Sequence, residues 1–323
     1  MSNSPFLSNC TADTIRDAAA ALKAGHLVAF PTETVYGLGA DARNPDAVRR
    51  IYEVKGRPTD HPLIIHISSI NQLDKWAVEI PDYAISLARA FWPGPMTLIL
   101  KRSATAQDFI TGGQDTVGVR VPSDSIALAL IQEFEKISDS AIVAPSANRF
   151  GQVSPTSSAD VNEELGAHLS RSDLILDGGK CVIGIESTII DCTGTIPVIL
   201  RSGLITKELI ESKVGNVWVG HINKSNTKFS GSFKKHYAPT CRIMLYKSPI
   251  CGAGFLAINE IETPPGMVRL ASPVTVEEYA HILYSSFRAA DHYNLNTLAI
   301  VPPEGDGLAV AISERIEKAS HGR

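Results

Sequence analysis

This sequence has no pair of cysteines spaced for a metal or a disulfide frame. The five present, Cys10, Cys181, Cys192, Cys241 and Cys251, are scattered and never form a CxxC pair. That argues against a zinc site and fits reduced thiols in a cytoplasmic protein. Charge of one sign is also lacking: the net charge of −4 gives no global reason to bind nucleic acid. No apolar run approaches the roughly 18 residues a membrane span requires, so no membrane partner is expected. The opening residues, MSNSPFLSNCTADT, lack the basic and then apolar segments of a signal peptide. Stock catalytic motifs are missing as well. There is no HExxH and no GxSxG, and Gly178-Gly179-Lys180 runs into Cys181 without the upstream glycine of a phosphate-binding P-loop.

What is present is an ordinary globular composition, 44% hydrophobic and 20% charged over 323 residues, a length that predicts one large and one small domain. Alternating strand and helix patterns run to about residue 220 and predict an α/β domain with a mixed sheet. Thr11 or Asp13 caps a first helix, Asn44-Pro45 starts a second, and the runs 27–30, 63–67, 97–101, 117–121 and 141–144 read as strands. Residues 221–240, HINKSNTKFSGSFKKHYAPT, lose all periodicity and read as a linker. Its Phe233, His236 and Tyr237 are costly to leave in water, so the linker is expected to dock on something. A second strand–helix alternation follows over 241–323.

The chain is organised around residues 28–67, where hydroxyls (Thr32, Thr34, Tyr36), glycines (Gly37, Gly39) and a Lys55-Gly56-Arg57-Pro58 turn lie between two apolar runs. Those two runs are expected to be neighbouring strands of one sheet. Gly37 to Ala42 formally fits a dinucleotide fingerprint, but six residues separate it from the preceding strand and no helix starts at its end. Further along, strands end again and again in small hydroxyl, amide or basic residues: Thr116 and Arg120, Ser146 and Asn148, Ser154, Ser187 and Thr188 with Arg201. Such groups, brought together, make a pocket for a small anion and a polyphosphate, working by positioning and charge neutralisation. Each has a plainer alternative: capping hydroxyls for Thr32 and Thr34, a solvated helix end for Lys55 and Arg57, turn formers for Ser146 and Asn148, a core histidine for His66.

The segments PTETVYGLGADA, KGRPTDHPLIIHI, FWPGPMTLIL, VGVRVPSD, APSANRFGQVSPT, GIESTIID, ILRSG and KKHYAP, in that order, resemble the YrdC-like threonylcarbamoyl-AMP synthases in their long, two-domain form. The resemblance implies a twisted open mixed sheet with a deep cavity over residues 1–220, a linker over 221–240 that folds over the active site, and a small Rossmann-like α/β domain over 241–323. It implies a nucleotidyltransferase that joins L-threonine, bicarbonate and ATP into L-threonylcarbamoyl-AMP, with Mg2+ accompanying ATP. Partner proteins then transfer the threonylcarbamoyl group to tRNA beside the anticodon, and tRNA itself makes at most a weak contact.

Carried over by position, Thr34, His66, Arg120, Ala144 and Ser187 are expected to hold threonine. Lys55, Arg57, His61, Thr116, Ser146, Asn148, Ser154, Arg201 and Tyr237 are expected to hold ATP. Lys55, Arg57, Ser146 and Asn148 form the catalytic KxR…SxN signature of the family, and no residue is expected to be a dedicated metal ligand. The linker departs from the family pattern, reading Ser230-Gly231-Ser232 where a Pro-Gly-Met-type turn is usual. Two other readings compete: a non-catalytic RNA-binding module, which the acidic net charge opposes, and a carbamoyl-transfer module like that of hydrogenase maturation proteins, whose attached domains this chain lacks.

Overall fold

The computed structural model describes residues 6–7, 10–220, 228–229, 231 and 236–321. Most of the first domain is one mixed sheet whose neighbours are far apart in the chain. From one edge the strands are Phe6–Leu7, Leu174–Leu176, Val28–Phe30, Gly37–Asp41, Ile142–Val143, Ile64–His66, Thr116–Arg120, Met96–Arg102, Thr188–Asp191, Val198–Arg201 and Trp218–Val219. Ala77–Val78 pairs antiparallel with the end of Met96–Arg102. Parallel and antiparallel pairs are mixed throughout, as the uneven crossover lengths predict.

One expectation fails here. The apolar runs at Val28–Phe30 and Ile64–His66 are not neighbours, because Gly37–Asp41 and Ile142–Val143 lie between them. The glycine-rich GLGAD run is itself a buried strand, antiparallel to Val28–Phe30. Gly39 shows why glycine stands there. A Cβ would come within 2.9 Å of both Ile142 Cγ2 and Phe30 Cε1, a distance no packed side chain tolerates. A strand, with no phosphate-facing loop before a helix, also disposes of the dinucleotide fingerprint.

Local chemistry fixes the helix that delivers the first basic residues. Asn44 accepts hydrogen bonds from the N–H groups of Asp46 and Ala47, Pro45 takes the first turn, and the helix Pro45–Lys55 stops at Gly56 with φ of 62°. Ile51, Tyr52 and Val54 of this helix are buried, which fixes where the turn begins. Lys55 and Arg57 therefore leave its end buried, not solvated.

The small domain has a four-stranded, all-parallel sheet in the order Arg242–Leu245, Thr297–Ile300, Gly254–Leu256, Val268–Ala271. The helices Val276–His292 and Leu308–Ser320 pack against it and each other. Its core is not closed on itself. Val35, Val153 and Ile185 of the first domain belong to the same apolar cluster as Tyr279, Leu283, Ile312 and Ile316. Burying such a side chain contributes roughly 1.5–3 kcal/mol, so the two sheets are joined by packing as well as by the linker.

Candidate active site

A narrow cleft opens where the central strands of the large sheet end. Thr32, Thr34, His66, Arg120, Ala144, Ser146, Glu186, Ser187, Arg201, His236 and Tyr237 line it. Its polar and charged lining suits a small polar ligand.

On one side a relay of hydroxyls is pinned to a guanidinium. Arg120, the last residue of its strand, donates from Nη1 to Thr34 Oγ1 at 3.1 Å. Thr34 lies 2.8 Å from Thr32 Oγ1, which in turn donates to the Val35 carbonyl at 2.6 Å. The Thr32 proton is thus spent on that carbonyl, so Thr34 is the donor of the pair. Arg120 Nη2 also stands 2.6 Å from Glu33 Oε1, without the alignment of a hydrogen bond. The pair is buried, and Nε donates to the Gly94 carbonyl at 3.4 Å, so the guanidinium is held by charge and hydrogen bonds at the cleft wall.

His66 is buried and its imidazole pKa falls to about 3, chiefly through burial and then through the charge of Arg120. Its Nδ1 lies 3.1 Å from the Ile64 carbonyl. A carbonyl can only accept, so Nδ1 carries the hydrogen and Nε2 is left as an acceptor. Across the cleft, Ser187 Oγ is within 2.8 Å of Thr97 Oγ1 and 3.1 Å of Arg201 Nη2, while Arg201 Nε donates to the Ser187 carbonyl at 3.0 Å. Ala144 brings its backbone to the His66 side, its N–H on the Ile64 carbonyl at 3.0 Å.

The KxR…SxN residues form a second group. Lys55 Nζ donates to the carbonyls of Ser146, at 2.6 Å, and Asn148. Its pKa is lowered well below that of a free lysine, by burial first and by Arg57 second. Arg57 donates to the Pro62 carbonyl at 3.0 Å, its buried Nε has no hydrogen-bond partner, and burial lowers its pKa to about 10. Asn148 spends its amide N–H groups on the carbonyls of Arg149 and Gln152 and keeps Oδ1 unpaired. Ser146 is the one of these four that lines the cleft, and Lys55 is tied to its loop through the Ser146 and Asn148 carbonyls. His61 packs near Phe150, with its pKa lowered to about 4 by burial and Arg57.

Two expected nucleotide contacts are placed differently. Thr116 opens the strand that Arg120 closes, about 13 Å away along the same face, and lines a separate groove with Lys101 and Asp108. Ser154 is buried, and its hydroxyl donates to Glu186 Oε1 at 2.6 Å, so this structure commits it to a carboxylate. Of the altered linker turn, Ser230 and Ser232 lie outside the described residues, as does Phe233. His236 and Tyr237 are described and line the cleft. Tyr237 has φ of 63°, a left-handed conformation rare for an aromatic residue. Burial pushes its hydroxyl pKa up to about 12.

The sequence reading overlooked Glu186, although it sits inside the GIESTIID segment. It is the carboxylate of the cleft wall, and its environment is unusual. Burial pushes its pKa up, but Arg315 and then Arg201 outweigh this and hold it near 2. Among the described residues no three His, Cys, Asp or Glu side chains converge as a metal cage.

Residues 20–203 match the Sua5/YciO/YrdC family, described as telomere recombination, and residues 205–321 match the threonylcarbamoyl-AMP synthase C-terminal domain. A threonylcarbamoyl-AMP synthase of Pyrococcus abyssi is 40% identical over 95% of this chain and 94% of its own length. One of Bacillus subtilis is 38% identical over 96% and 93%. The crystal structure of P. abyssi Sua5 complexed with L-threonine superposes with a TM-score of 0.86 at 38% identity, covering 98% of this chain and 96% of that one. With both domains matched and the fold shared from end to end, this chain belongs to the threonylcarbamoyl-AMP synthase family.

Proposed function

We propose that this protein makes L-threonylcarbamoyl-AMP from L-threonine, bicarbonate and ATP. The observation that carries the reading is the pairing of two chemically distinct groups, one lining the cleft and one adjoining it through Ser146. Arg120, Thr34, His66 and Ser187 offer a guanidinium fork, hydroxyls and an imidazole acceptor, a set suited to an amino acid with a carboxylate and a side-chain hydroxyl. Lys55, Arg57 and the 146–148 loop gather cationic and polar groups suited to phosphates. A synthase of this family from P. abyssi has been solved with L-threonine, which supports the first assignment.

In this reading the threonine amine attacks bicarbonate or CO2 to give a carbamate, with water leaving when bicarbonate is used. A carbamate oxygen then attacks the α-phosphorus of ATP and pyrophosphate departs. Arg120 orients the carboxylate, neutral His66 accepts a hydrogen bond through Nε2, and Lys55 fixes the loop carrying Ser146 and Asn148. The chain's contribution is positioning and charge neutralisation. Magnesium would arrive with ATP and offset phosphate charge, held by phosphate oxygens and water, which suits a cleft whose donors are cations and hydroxyls. The product's mixed anhydride would serve partner proteins that modify tRNA. The scattered cysteines, none of them in a disulfide, support a reducing cytoplasmic setting. No described helix is long and apolar enough to cross a membrane.

Incubation with ATP, L-threonine, bicarbonate and Mg2+ tests the reading. Pyrophosphate release dependent on threonine and bicarbonate, with a threonylcarbamoyl adenylate detected by mass spectrometry, is expected. Release independent of threonine, or none, defeats it.

A further inference from the structure

Two side chains of the small domain reach the wall of the cleft and share one target. Tyr284, on the helix Val276–His292, lies with its hydroxyl 3.1 and 2.9 Å from the two carboxylate oxygens of Glu186. Arg315, on the helix Leu308–Ser320, donates from Nε to Glu186 Oε2 at 3.2 Å and from Nη2 to the Glu186 carbonyl at 3.4 Å. The same guanidinium donates from Nη1 to the Ser202 carbonyl at 2.7 Å. One arginine therefore bridges the residue before Ser187 and the residue after Arg201. These two flank the neighbouring antiparallel strands Thr188–Asp191 and Val198–Arg201, where Arg201 in turn grips Ser187 through its carbonyl and hydroxyl.

The same two side chains hold Tyr237. Its ring stacks on Tyr284 with centroids 5.6 Å apart, and Arg315 lies over it at 5.8 Å. A tyrosine kept at positive φ needs such surroundings to persist.

We propose that Tyr284 and Arg315 are positioning residues for the reaction. Acting through Glu186, the small domain sets Ser187 and Arg201 on one wall of the cleft and Tyr237 on another. Simple domain glue would not require a cleft-wall carboxylate as its anchor, since other ties exist away from it: Arg288 to the Val153 carbonyl and His281 to the Val182 carbonyl. Glu186 also needs these partners, because a buried carboxylate stripped of its arginine is an uncompensated charge. This inference rests on the synthase reading above, with Ser187 at the threonine end.

The test compares Tyr284→Phe, Arg315→Lys and His281→Ala with the unaltered chain, measuring KM for threonine, KM for ATP and kcat, with the unfolding midpoint recorded separately. Tyr284→Phe keeps the ring against Tyr237 and deletes only the hydroxyl. It is expected to raise KM for threonine about tenfold, the weight of one hydrogen bond to a charged group, with little change in midpoint. His281→Ala is expected to leave both KM values unchanged. Tyr284→Phe combined with Glu186→Gln should cost no more than Glu186→Gln alone, because both act on one contact.

An unchanged KM for threonine in Tyr284→Phe, or losses that follow only the folded fraction, overturns the proposal. If the unaltered chain releases no threonine-dependent pyrophosphate, the synthase reading fails separately. The shift of the unfolding midpoint by L-threonine then reads the positioning: a smaller shift in Tyr284→Phe than in the unaltered chain supports it, and equal shifts or none overturn it.

Discussion

The Lys55 ammonium donates to the backbone carbonyl of Ser146 at 2.6 Å, and to that of Asn148 as well. A buried cation that spends its protons on carbonyls is holding a loop in shape. Lys55→Met keeps the bulk and removes the donors, leaving two carbonyls to find other partners. Stability is expected to fall by about 1–3 kcal/mol, while kcat/KM for ATP falls at least about a hundredfold through loss of loop and charge. Denaturant titration beside ATP kinetics checks this, and a variant with normal ATP kinetics would remove Lys55 from the site.

Arg120 lines the cleft, whereas Arg57 belongs to the cationic group that adjoins it beside the Ser146 loop. Arg120→Lys retains a charge for the buried Glu33 but loses the planar fork, so KM for threonine should rise at least tenfold with KM for ATP nearly constant. Arg57→Ala should do the reverse. Equal damage to both constants in both variants would sink this division of labour.

His66 titrates near 3 in the fold against 6.5 for a free histidine. Between those values the unfolded chain binds a proton that the folded chain refuses. Its contribution to stability is therefore complete above pH 6.5 and declines as the pH falls toward 3. His236, also near 3 and chiefly through burial, adds in the same direction. In His66→Gln the loss of unfolding free energy between pH 6 and pH 4 should be shallower by about one proton, ~1.4 kcal/mol per pH unit. Identical slopes for both proteins would show that the histidine does not carry this linkage.

A chain cut after residue 240 keeps the linker and loses the small domain. Val35, Val153 and Ile185 pack against the small domain, and Glu186 loses Tyr284 and Arg315. The fragment is expected to bind a hydrophobic dye, to lose activity and to unfold at a lower temperature than the full chain. A fragment with full activity would deny the small domain any part in the site.

Gly39→Ala tests the close approach of strands beneath the cleft. Its methyl would meet Ile142 and Phe30 at 2.9 Å, and overpacking of this kind costs about 1–3 kcal/mol. A neutral substitution in thermal unfolding would show that the strands can move apart.

Much of the site could be read before the fold was seen, because each motif is local: a strand end, a helix stop and a turn place Thr34, Lys55, Arg120 and Ser146 where they stand. Strand adjacency could not be read in that way. Ala40 pairs with Val143 and Ile65 with Val143 on the other side, and an apolar period carries no record of a partner so distant in the chain. Gly37–Asp41 escaped notice as a strand because its glycines look like turn residues. Position along a motif likewise carries no record that Thr116 opens the strand that Arg120 closes, and so lines a different groove. Arg315 did leave a trace: on Leu308–Ser320 it falls in the stripe of Leu308, Ile312, Ile316 and Ala319 that faces inward. A charge on the apolar side of a helix signals a buried partner, here Glu186.

The convergence of Tyr284 and Arg315 on Glu186 bears on how the molecule comes into being. Proteins emerge from the ribosome from the N-terminus onward, and early domains begin to fold before later ones exist. In this chain the large sheet can be made and paired while its cleft still lacks two of the side chains that brace it. The wall that carries Ser187 and Arg201 is therefore completed only when the last helices have been translated and docked, so the order of the codons is also the order in which the site is braced.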